Sequence, residues 1–472
     1  MMGATVSEKK GTAIMRFINL TRKTEIGANS YLVEIAGRKI VLDAGLHPRQ
    51  LAEEALPNYR HIPDESVSSI FISHAHQDHI GSLPVLMRRQ PQARVFMTEA
   101  TAKLSEVMLH NSVNVMTRQR EDLGLATYPL FTHRETEQAA MVWHKAHVGQ
   151  RWSMEGERVP DAENENNFEF FEAGHILGAA GILFRAEGKR IFYTGDVNFS
   201  DQSLLPGAAF PDEPLDVLII ETTRGDRAAD PKFSRRKEED RFLEAILRAF
   251  EGGGSVLVPV FALGKTQEVL TMLHRFRMNG ALLNTPIYIG GLSTKTTIVH
   301  DQLAANTPRL HPGLQLLPTV APQVLNGREG PVTKIQTNGL YVLSSGMMTE
   351  KTLSNRLAAR FIADQKQSIF FVGYADPDSP AGRLKATRRG EAIQLDNDLP
   401  KQSVDCSIDE FNFSGHADRE SLLRYIQKTK PRVVILVHGD PLSLQWFSGE
   451  VKASLPDTRV IVPAPGQCYD IE

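Results

Sequence analysis

The chain has 472 residues, of which 41% are hydrophobic and 23% charged, with a formal net charge of −3. That length allows two or three domains with cores of their own, and the near-neutral balance excludes a global positive field, so any nucleic-acid contact must use locally clustered Lys and Arg. No apolar run nears the ~18 residues of a membrane span, the opening residues lack an apolar signal region, and two cysteines, Cys406 and Cys468, cannot make a disulfide framework, so a cytoplasmic protein is expected.

Short apolar runs rich in Val, Ile and Phe predict strands over 39–42, 69–73, 190–194, 216–220 and 433–437. They run into Asp43, His74, Gly195-Asp196, Glu221 and His438. Each thus delivers a metal-capable or acid–base side chain at its C-terminal edge, where sheets flanked by helices assemble their sites. Helices are predicted over 80–89, 234–250 and 261–273, the second with Phe242, Leu243, Ile246, Leu247 and Phe250 on one face. From about 223 to 387 strands alternate with helices but contribute no His-rich motif. The expected organisation is a first domain built from 1–222 and 388–472, with a second α/β domain, 223–387, inserted into it. Segments 161–167 and 327–330 read as exposed turns.

The strongest local signal is His74-Ala-His76-Gln-Asp78-His79. Four ligand-type side chains in six residues are too many for one catalytic ion with an open position, and suit a pair of ions sharing the loop. His175, Asp196 and His438 taken singly read as a core histidine, a turn aspartate and a strand-ending histidine. Taken with the cluster they form one pattern.

That pattern, His-x-His-x-Asp-His followed by a His, an Asp and a His in this order, resembles the metallo-β-lactamase superfamily. The inserted segment narrows the resemblance to the β-CASP branch and its RNA-cleaving group, which includes the cleavage-and-polyadenylation endonuclease and RNase J. Phe413-Ser-Gly-His416-Ala-Asp418 and Pro259-Val-Phe-Ala-Leu-Gly264 are similar to two local patterns of that branch. The resemblance implies an α/β fold: an αββα sandwich with an inserted β-CASP domain. It implies that His74, His76 and His175 hold one ion, that Asp78, His79 and His438 hold a second, and that Asp196 bridges them. Two zinc ions per chain are expected, with manganese the alternative for such an N/O shell. Ions ~3.5–4 Å apart acidify a water and clamp the attacked phosphate. The resemblance makes Asp43 a residue that orients the ligand loop without binding metal. It adds Glu221 and His416 to Asp78 as catalytic residues, with His416 the general acid and Glu221 its orienting partner. It also favours RNA, because DNA-repair members carry an aliphatic residue where His438 stands.

Three segments depart from the family pattern: Thr222-Thr-Arg224-Gly225, Ser344-Ser345-Gly346-Met-Met348, and the acidic, Pro-rich stretch from Gly373 to Arg383. Ser344, Ser345, Gly346 and Arg383 are the candidate phosphate contacts. Gly264-Lys265-Thr266 fails as a phosphate loop because Pro259 stands where that motif needs glycine. The expected protein is a metal-dependent ribonuclease that takes single-stranded RNA, with a homodimer compatible with the sequence. The alternatives are a DNA-repair nuclease of the same fold or a catalytically silent scaffold subunit. Endonucleolytic and 5′-exonucleolytic cutting stay open.

Overall fold

The computed structural model describes residues 15–160, 166–325 and 335–472. The expected turns at 161–165 and 327–330 lie outside them, and Asn167 opens a strand, Asn167–Glu172.

Two seven-stranded sheets face each other. In the first, Cys468–Ile471, Met15–Asn19, Tyr31–Ile35 and Arg38–Leu42 pair antiparallel, and Ser69–Phe71, Arg94–Thr98 and Trp143–Ala146 continue in parallel. In the second, Arg459–Ile461, Val433–Val437, Val217–Glu221 and Lys189–Tyr193 run parallel, and antiparallel strands follow to Arg151–Ser153. The central strands show why this stacks. Val433, Ile435 and Val437 join the core between the sheets, whereas Val434 and Leu436 join the cluster on the opposite face. Val217 and Ile219 divide from Leu218 and Ile220 in the same way. Strands apolar on both faces need a layer on each side.

A third sheet of six strands, parallel throughout, runs Gln323–Leu325, Ile287–Gly290, Leu340–Leu343, Val256–Pro259, Ser368–Phe371, Ser407–Glu410. Its last strand carries the inserted unit past the expected limit at 387, because Ser407–Glu410 pairs with Ser368–Phe371. One apolar cluster runs without a break from Leu218, Leu436 and Phe447 of the first unit to Phe242, Val258 and Leu270 of the second. A buried polar knot reinforces this junction. Glu268 accepts hydrogen bonds from the backbone N–H groups of Ser203 and Leu204, at 2.6 and 2.9 Å, and from Arg235. Glu239 accepts from the Ser203 hydroxyl, Arg235 and Arg275.

Two helices differ from expectation. The stretch 80–89 divides into Gln77–Ile80 and Leu83–Arg89. The helix expected over 261–273 begins later, as Lys265–Met278, because Gly264 takes φ +83° and turns the chain first.

Candidate metal centre

The side chains that end the strands converge where the two sheets' C-terminal edges meet. Asp43 and His438 turn sharply out of their strands, with φ of 56° and 49°, in the left-handed region that non-glycine residues seldom occupy. Gly195, at φ +53°, is required by a close approach: a Cβ there would lie 2.6 Å from Cβ of Ser73. The loop bearing Asp196 can therefore pack against the loop bearing His74, although each comes from a different sheet.

Candidate ligand atoms gather in two main groups. His74, His76, His175 and Asp196 form one, and Asp78, His79 and His438 the other, with the atoms in each group within 4.8 Å of one another. Asp196 touches both. Its Oδ2 lies 3.6, 3.7 and 3.4 Å from ring nitrogens of His74, His175 and His79, and its Oδ1 lies 2.8 Å from Nδ1 of His438. Asp78 Oδ2 stands 3.5 Å from Nε2 of His438 and 3.8 Å from Nε2 of His79.

In the first group the electrostatics suit a cation; in the second, Asp196 outweighs burial and raises His79 well above its ordinary pKa and His438 to about 10, so those rings would release a proton as a metal binds. Burial, and then His79, hold the His74 ring well below its ordinary pKa, and burial and His416 do the same to His175. Both are neutral donors at physiological pH. Burial opposes the charge on Asp196, but His438 and His79 hold its carboxyl well below the usual range, so it is ionised. Nε2 of His74 and Nε2 of His438 are buried without a hydrogen-bond partner, a costly state for a polar atom. These orphaned nitrogens and the imidazole–carboxylate donor set fit a metal ion. The histidines and aspartates are placed to bind metal.

Asp43 lies behind the cluster, fully buried. Its carboxylate accepts from Nδ1 of His79 (2.7 Å), the Ser73 backbone N–H (2.7 Å), the Ser73 hydroxyl (2.8 Å) and the Tyr193 hydroxyl (2.6 Å). His79 is thereby turned so that Nε2 faces Asp196. Ser73, Tyr193 and Asn29, whose side-chain nitrogen is 3.1 Å from Nε2 of His79, are functional neighbours that sequence reasoning missed. Only the hydroxyl beside the histidine cluster could have flagged Ser73. The Gly415 carbonyl, 2.7 Å from Nδ1 of His175, fixes that ring and ties the His416 segment to the centre.

Glu221 and His416 stand together at the rim. Nδ1 of His416 is 3.3 Å from Oε2 of Glu221, and Oε1 of Glu221 accepts the Val197 N–H at 2.6 Å. Burial works against a charged ring, but Glu221 raises the pKa of His416 above its ordinary value. The candidate phosphate contacts are placed differently. Ser344, Ser345 and Gly346 follow the C-terminal end of Leu340–Leu343, and the Ser345 hydroxyl bonds Thr349. Arg383 donates to the carbonyls of Asp378 and Gln394, so its guanidinium is engaged within its own segment. His144 and His147 are exposed, in or just after a strand, and join neither group.

Three family models match the chain in order: the metallo-beta-lactamase superfamily over residues 24–246, the Beta-Casp domain over 266–384, and the Zn-dependent metallo-hydrolase RNA specificity domain over 401–463. The chain is 27% identical to cleavage and polyadenylation specificity factor subunit 3 of Dictyostelium discoideum, over 95% of its own length and 56% of that protein's. It is 26% identical to endoribonuclease YSH1 of Saccharomyces cerevisiae, over 98% and 60%. It is 28% identical to an RNase J-like protein of Methanocaldococcus jannaschii, over 93% and 97%. The chain thus spans less than two thirds of the eukaryotic relatives' length, and nearly all of the archaeal one's. A solved structure of a protein of unknown function from Enterococcus faecalis V583 shares the fold, with TM-score 0.54 at 14% identity, covering 96% of this chain and 99% of that one. No helix among the described residues is long and apolar enough to cross a membrane.

Proposed function

The chain belongs to the metallo-β-lactamase superfamily, in its β-CASP branch, and on that footing we propose that it is a ribonuclease that hydrolyses phosphodiester bonds with two zinc ions. The observation that carries this reading is the pair of ligand groups joined through Asp196. We assign His74, His76 and His175 to one ion, Asp78, His79 and His438 to the other, and Asp196 to both. Manganese is the competing metal. A bound pair of divalent ions supplies Lewis acidity, acidifying water and neutralising phosphate charge.

The protein's own groups do the rest. Asp43 holds His79 in the tautomer that presents Nε2 to the centre. Glu221 keeps His416 protonated with Nδ1 toward the carboxylate, which leaves Nε2 to hand a proton to the leaving oxygen. RNA as substrate is supported by the match of 401–463 to an RNA specificity domain and by His438. The relatives named as endoribonuclease and RNase J-like support the same class.

The test is to incubate the purified chain with 5′-labelled and 3′-labelled single-stranded RNA, and with DNA of the same sequence, with and without chelator. RNA should be cut faster than DNA, chelator should stop both, and the two labels separate internal cutting from trimming at the 5′ end. Equal or faster cutting of DNA would move the chain to the repair type of nuclease. No cutting by metal-loaded protein would leave the scaffold reading.

A further inference from the structure

Among the described residues three Phe, Tyr or Trp side chains are exposed: Phe233, Phe261 (38%) and Tyr374 (61%). Exposed aromatic surface is a cost unless something covers it. Phe261 and Tyr374 are not scattered. They line one recess together with Lys265 and Gly346. Phe261 follows Val256–Pro259 and Tyr374 follows Ser368–Phe371, two paired parallel strands, so both rings stand at the same C-terminal edge of the inserted sheet.

The recess also meets the metal-bearing unit. Arg49 bridges from the first unit to Asp376, two residues beyond Tyr374, at 3.2 Å. On the floor, the Lys265 ammonium donates to the Phe413 carbonyl, three residues before His416. Burial and the nearby Arg235 push Lys265 down to about 8, so at neutral pH it still carries its proton and its positive charge. Two aromatic rings and a half-buried cation thus border the segment that carries His416.

We propose that Tyr374 and Phe261 form a stacking platform for an unpaired base of the substrate, positioning the strand as it enters the metal centre. Every base has a π face, so such a platform tolerates any sequence. It discriminates against duplexes, whose base faces are already covered by neighbours in the stack. The inference rests on the ribonuclease reading and adds to it the requirement for an unstacked base.

The test compares wild type with Tyr374→Ala, Tyr374→Phe and Phe261→Ala on single-stranded RNA and on the same strand made abasic around the cut. Tyr374→Ala should raise KM about ten-fold or more, the worth of one lost stack, with kcat and metal content unchanged. Tyr374→Phe should behave as wild type, and on the abasic strand Tyr374→Ala should match wild type. In chelated protein, 2-aminopurine in the strand should be quenched by wild type and less by Tyr374→Ala. An unchanged KM in both alanine variants, or Tyr374→Phe as impaired as Tyr374→Ala, overturns the platform while leaving the ribonuclease reading intact. Wild type that neither binds nor cuts RNA overturns both.

Discussion

Asp43 accepts four hydrogen bonds in a fully buried position, and one of them comes from a candidate ligand, His79. Asp43→Asn keeps the shape but removes the charge and forces an N–H toward donors that already point inward. Metal affinity should fall about 10- to 100-fold, the usual effect of losing a partner behind a ligand, read by competition with a chromogenic chelator. At the rim, His416→Ala should lower turnover ~10²–10⁴-fold with metal content unchanged, because it deletes the proton donor and no ligand. Metal lost along with activity would make His416 a ligand or a structural residue. Glu221→Gln should do less, and the double variant should be far less impaired than the product of the singles, since the two act as one unit. The sign of the pH effect follows from the raised pKa of His416. A general acid works while protonated, so the high-pH limb of kcat should fall as pH rises through that value. Glu221→Gln removes the largest raising influence while burial stays, so the falling limb should move to lower pH. A limb that stays in place would detach Glu221 from the proton transfer.

At the scale of elements, the five site-bearing strands were legible because parallel strands buried on both faces are unbroken apolar runs, and Val433–Val437 appears within its expected bounds. Ser407–Glu410 was not legible. Apart from Ile408 its residues are polar, all are at least partly exposed, and pairing with Ser368–Phe371 makes it a strand. The break in 80–89 was hidden for a related reason. A Cβ at Gly81 would lie 2.5 Å from Cβ of Leu46, a crowding that only the assembled fold reveals. Tyr193 and Asn29 escaped because each matters through one hydrogen bond to a residue 150 or 50 positions away. The helices at the junction between units carry a prediction of their own. Glu268→Ala leaves two backbone N–H groups buried without their acceptor and removes one of the two carboxylates that hold Arg235. A buried donor left without an acceptor costs about 1–3 kcal/mol, so urea unfolding should shift by that order or more. A loss below ~1 kcal/mol, the range of a surface pair, would show that the knot does not hold the units together.

At the scale of the whole molecule, two units from distant stretches of chain close on one centre. The sandwich supplies all seven candidate ligands, and the inserted unit supplies the aromatic recess and the Ser344–Gly346 loop. This division explains why ligand chemistry was readable in sequence while the substrate surface was not: ligand types are chemically rare, whereas surface aromatics and small loop residues are common. The central proposal is a ribonuclease activity that depends on two metal ions held in common by Asp196. Its most direct test is the rate of single-stranded RNA cleavage as zinc is returned stepwise to chelated protein. The rate should climb from zero to a plateau near two equivalents per chain, with Asp196→Ala flat throughout. Cleavage that persists in chelator, or an Asp196→Ala protein that recovers with zinc as wild type does, would contradict it.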